Sequence, residues 1–141
     1  MNSPILVPAA VLVLWSLVML FWMAATRFPA LAKAGISLAG TVGSRGSDLE
    51  GILPAEVNWK AHNYNHLMEQ PTIFYPTIVI LALTGADGGL NLQLAWAYVI
   101  LRIIHSIVQA TWNRVAVRFS LFLVSTLALL VLAINALRAT L

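Results

Sequence analysis

A chain of 141 residues that is 60% hydrophobic and only 9% charged has too few charges to keep a soluble surface wet, since soluble domains carry roughly 25%; the composition implies an integral membrane protein. The net charge of +3 comes from eight Lys and Arg residues scattered singly, so no basic run tracks phosphates and nucleic acid is not an expected partner. With no cysteine, disulfides, thiolate metal sites and a cysteine nucleophile are excluded, and any thiol chemistry must use a thiol brought by a substrate.

Four apolar segments reach the length of about 20 residues that a membrane helix needs. They predict helices over 5–26, 55–85, 92–112 and 115–138, together a single transmembrane domain of the all-α class, a four-helix bundle. The first segment has no basic n-region, its apolar run is too long for a signal peptide, and no clean cleavage site follows, so it is expected to be retained. Residues 27–54 form a long loop rich in Gly and Pro, with a short helix expected around 31–39. The second segment is polar before Glu69 and apolar after it, and Pro71 and Pro76 are expected to bend it. Ala86-Asp87-Gly88-Gly89 is a tight turn. The link after Trp112 is so short that the third and fourth helices are expected to be antiparallel neighbours.

Arg27, Lys33, Arg45, Lys60, Arg114 and Arg118 lie in or beside the first and third loops, whereas the other side carries Arg138 and Asp87. The excess of basic residues predicts that loops one and three are cytoplasmic and both termini outside.

Two polar stripes cross this apolar background. Asn58, His62, Asn65, His66 and Glu69 share one helical face within roughly 100°, as do Arg102, His105, Gln109 and Asn113. Charged groups at that depth are costly, so both stripes are expected to face a shared polar cavity. Arg102 is the one basic residue well inside a segment and the obvious partner for Glu69; a plain interhelical bridge that fixes packing is the competing reading of that pair. His62, His66 and Glu69 have the i, i+4, i+7 spacing of metal ligands, with His105 as a possible fourth, but without H-E-x-x-H or paired E-x-x-H motifs no metal is expected. Arg114 and Arg118 lie one turn apart at the start of the fourth helix, where they serve as headgroup anchors or, with Arg102, line a pocket for an anion. A positive pocket would also lower a bound thiol's pKa and favour the thiolate.

The run Asn63-Tyr-Asn-His-Leu-Met-Glu69-Gln-Pro-Thr-Ile-Phe-Tyr75, together with Arg102-x-x-His105 and Asn113-Arg114-Val-Ala-Val-Arg118, resembles the MAPEG superfamily. These are membrane-associated proteins of eicosanoid and glutathione metabolism that include microsomal glutathione transferases. The resemblance implies a homotrimer in a membrane, that of a bacterial-type member being the inner one, with glutathione as co-substrate held between subunits near the cytoplasmic side. It implies a transferase or peroxidase acting on a lipophilic small molecule that enters from the lipid. Glu69 and Arg102 match glutathione contacts, His105 matches the helix-three His, and Arg118 matches the Arg that activates the thiol. Arg114, Asn65, His66, Gln109 and His62 complete the set expected to bind the co-substrate. The sequence departs from the family's pattern where Gln109 replaces a Tyr, where His66 aligns with an Asn, and where the basic residue before that Asn is Lys60 or absent. These departures keep a second reading open: a non-catalytic scaffold or ligand-binding trimer of the same fold.

Overall fold

The computed structural model describes residues 2–141, and these form five α-helices and one 3-10 turn with no strand among them: α1 (Leu6–Lys33), α2 (Ala55–Leu67), α3 (Pro71–Leu83), α4 (Gly89–Ala110) and α5 (Val115–Thr140), with the 3-10 turn at Gly46–Leu49. α1, α4 and α5 are each long and apolar enough to cross a membrane. α2 and α3 follow one another as a polar and an apolar half of the remaining member, so the architecture is an all-α four-helix membrane bundle with one broken helix.

The break corrects the expectation of one helix over 55–85. Pro71 has no N–H to donate and its ring crowds the carbonyl four residues back, which disfavours a regular helix there; α1 and α3 continue through Pro29 and Pro76, but at Pro71 the chain breaks. α2 stops at Leu67, Met68–Gln70 form a turn, and Pro71 starts α3 at the position where a missing N–H costs nothing. α1 is instead longer than expected, running to Lys33 through Pro29 and the good helix formers Ala30, Leu31 and Ala32. It takes in the start of the predicted loop and replaces the short helix expected around 31–39. Gly35 (φ 72°) and Gly85 (φ 73°) end α1 and α3 in the left-handed conformation. Each is closed by a bond from the next residue back into the last turn, Ile36 N to Leu31 O at 3.1 Å and Ala86 N to Leu81 O at 2.9 Å.

α4 and α5 make the most extensive contact of the bundle, as their short link requires. Small residues sit at or near the interior of both, including Ala95, Ser106 and Ala110 on α4 and Ser125, Ala128 and Ala136 on α5. Small side chains let backbones approach, which is how helices associate where lipid is as apolar as leucine. The core is completed by Phe74, stacked on Tyr98 at 4.4 Å between centroids, and by Leu12, Leu81 and Leu132. Leu14, Phe21, Leu83, Ile100 and Leu130 face outward, as lipid-facing positions do.

Candidate functional site

The α2–α3 break sets the positions of the residues around it. Gln70, the last residue of the turn, bridges two other helices: Tyr98 Oη donates to its Oε1 at 3.1 Å, and its Nε2 donates to Thr126 Oγ1 at 2.9 Å. With Gln70 held inward, Glu69 is exposed in the turn. The pairing expected between Glu69 and Arg102 is therefore not made within the protomer.

Arg102 pairs with His66 instead. The guanidinium is fully buried, and its Nη2 donates to His66 Nδ1 at 2.8 Å and toward the His66 carbonyl oxygen at 3.4 Å. Phe122 covers it, with the ring centroid 5.9 Å from Cζ. His105, one turn along α4, stacks on His66 with centroids 4.8 Å apart and planes 16° from parallel. Gln109 continues the same ridge, 6% exposed.

At the other wall, the α4–α5 link places Arg118. Asn113 adopts φ 52°, a conformation that Asn tolerates better than most residues, and its N–H closes onto the Val108 carbonyl at 2.6 Å. Its Oδ1 then accepts from Arg118 Nη1 at 2.8 Å. Asn113, read above as the end of the second polar stripe, thus lies outside α4 and orients a cation instead of extending the ridge.

Between these walls is a cavity of about 260 Å³, lined by His66, His105, Gln109, Val115, Arg118, Phe119 and Phe122. No carboxylate lines it, and Asn113 Oδ1 is already engaged by Arg118. Arg118 and Gln109 offer N–H donors to this space, and His66 and His105 offer ring nitrogens. Phe119 and Phe122 were not singled out in the sequence. Phe122 falls one turn after Arg118, so helical spacing alone would have placed it on the arginine's face.

The remaining residues of the first stripe look elsewhere. His62 and Asn65, with Arg27, Arg45 and Glu50, border a second hollow of about 590 Å³ between α1, α2 and the loop. There His62 pairs with Glu50, Asp48 Oδ2 accepts from Arg45 N at 2.8 Å, and Asn58 Nδ2 donates to the Leu49 carbonyl at 3.3 Å. The loop is thereby folded onto α2. Within one protomer the first stripe does not face a single shared cavity as expected: His66 lines one hollow, His62 and Asn65 border another, and Asn58 and Glu69 line neither. Arg114 is exposed, its Cζ 4.9 Å from the Trp112 ring centroid.

No curated protein and no solved structure matches the chain. The profile of the MAPEG family matches residues 5–138, which takes in all but the extreme ends and every residue of both hollows. An apolar four-helix bundle with a cationic, imidazole-lined cavity between α2, α4 and α5 is thus an integral membrane protein that belongs to the MAPEG family.

Proposed function

We propose that the protein is a glutathione-dependent transferase or peroxidase that activates the thiol in the Arg118 cavity and delivers it to a lipophilic electrophile. The observation that carries this reading is the cavity's one-sided chemistry: donors on several walls, a guanidinium fixed by Asn113, and no acidic side chain. Such a site favours an anion, and a thiol placed beside a guanidinium ionises more readily. The apolar remainder, Val115, Phe119 and Phe122, suits the electrophile, which reaches it from the lipid.

The proposed mechanism uses Arg118 to hold the thiolate sulfur while His66, His105 and Gln109 contact the polar body of the tripeptide. Glu69 and Asn65 are exposed and lie apart from this cavity. A homotrimer in which a neighbouring copy meets these surfaces brings them into one site, with Glu69 toward the amino group of glutathione and Arg114 and His62 at its rim. The loop end of the bundle then faces the cytoplasm. Titration of the detergent-purified protein with glutathione, read by thiolate ultraviolet absorbance, tests binding and activation together. A thiolate band that saturates in the wild type and vanishes in Arg118→Ala is the expected result; an unchanged band in the variant removes Arg118 from the mechanism.

One feature favours the non-catalytic alternative. Gln109 occupies the position at which the family's pattern has a phenol that can reach the sulfur. If glutathione raises the unfolding temperature, as any ligand of the folded state does, yet no thiolate and no turnover appear, the protein is a binding module.

A further inference from the structure

Arg102 and the cavity are separated by an imidazole. The guanidinium is fully buried and is not part of the cavity wall, whereas His66 is half-buried and lines it. Arginine has five N–H donors and no acceptor, so the 2.8 Å contact from Nη2 to His66 Nδ1 has one chemically consistent form. Nδ1 offers its lone pair, and the ring is neutral with its proton on Nε2. That second nitrogen has no partner within the protomer, and it belongs to a ring that borders the cavity. The ring is held against rotation by two further contacts: His105 stacks on it and Phe122 packs edge-on at 5.5 Å.

We infer that Arg102 does not touch the ligand but acts through His66, fixing the Nε2–H tautomer so that the imidazole offers the cavity a donor for an anionic group. This rests on the reading of the cavity as an anion site and makes Arg102 a positioning residue and His66 the ligand contact. A histidine free to choose its tautomer presents the cavity with an acceptor for part of the time, which repels the same anion. The lock removes that choice.

Two measurements test this on the full-length protein in detergent. Nitrogen NMR of histidine-labelled protein, with His66 assigned by its loss in His66→Asn, should show a neutral Nε2–H ring in the wild type and a mixture of tautomers in Arg102→Met. An Nδ1–H ring or an imidazolium in the wild type overturns the inference, as does an unaltered ring in the variant. This arm needs no ligand, so it stands even if glutathione proves not to bind. The second arm uses glutathione sulfonate, an anionic probe with no thiol to ionise. Arg102→Met should weaken its binding about tenfold, but in a His66→Asn background, where the amide supplies its own N–H, the same change should cost less than twofold. A tenfold loss in both backgrounds means that Arg102 meets the ligand directly, and the inference fails. If the wild type binds no probe while the spectra are as expected, the thiol reading falls and the tautomer lock stands. Should Arg102→Met not fold, the wild-type spectrum alone decides.

Discussion

The two ends of the bundle treat their polar groups differently. At the end that holds the termini, buried Ser3 and the half-buried Asp87, Asn91 and Asn135 find protein partners: Ser3 donates to Asp87 Oδ2 at 2.6 Å, Asn135 to Asn91 Oδ1 at 2.7 Å, and Asn91 to the Ala86 backbone carbonyl at 3.0 Å. These contacts tie the start of the chain and α5 to the α3–α4 turn. Toward the other end, Asn63, Arg102 Nε and Nη1, His105 Nδ1, Ser106 Oγ and Gln109 Oε1 are buried without a protein partner. An unpaired polar atom in a low-dielectric interior costs free energy that a paired one does not. Trp15 Nε1 of α1 is unpaired as well, but the open groups gather along α4, where His105 and Gln109 line the cavity.

The contrast breaks most directly at Arg118. Arg118→Ala should lower glutathione conjugation of a chloronitrobenzene-type substrate by about a hundredfold or more, the cost of losing a donor aimed at developing negative charge, while particle size in detergent is unchanged. Asn113→Ala removes only the acceptor that orients the guanidinium. Its expected cost is roughly tenfold in the same assay, below the hundredfold that ångström-scale misplacement can bring. If Asn113→Ala matches Arg118→Ala, the asparagine contributes more than orientation.

At the terminal end the expected signature is reversed. Asn135→Ala strands Asn91 Oδ1 and should lower unfolding stability by about 1 kcal/mol, the scale of interhelical hydrogen bonds in membranes, with turnover unaffected. Thermal unfolding in detergent and the conjugation assay separate the two effects. A loss of activity without a loss of stability would show that this end also serves the reaction.

Much of this arrangement was legible in the residues. Hydropathy marked the three long spans, the short link after Trp112 made the last two helices neighbours, and His105 and Gln109 share the cavity wall while Arg102, on the same ridge, is buried behind His66. What spacing could not give was the partner of Arg102. The helical wheel that put Glu69 beside the other polar residues assumes a helix continuous past Leu67, but Pro71 ends it and the Met68–Gln70 turn swings the carboxylate outward. The same wheel puts His66 at the edge of its stripe, about 40° from His62 and farther from Asn65. That offset is enough to send it into one hollow while they border another. Pro71 marked a bend but not its direction, and the fold of the loop over α2 has no local signature, because it depends on which helix lies behind.

The smallest expected effect sharpens the comparison most, because it changes a single oxygen. Ser106 on α4 and Ser125 on α5 are both fully buried, and they differ only in partner: Ser125 Oγ donates to the Phe122 carbonyl at 2.9 Å, and Ser106 Oγ has no protein partner. Ser125→Ala therefore gives up a bond together with its hydroxyl and should be neutral or slightly destabilising. Ser106→Ala gives up only an unsatisfied hydroxyl and should raise stability by up to about 1 kcal/mol. If Ser106→Ala instead destabilises the protein or weakens glutathione binding, the hydroxyl is engaged in the working protein. The unpaired seam along α4 would then extend the ligand site inward from Gln109.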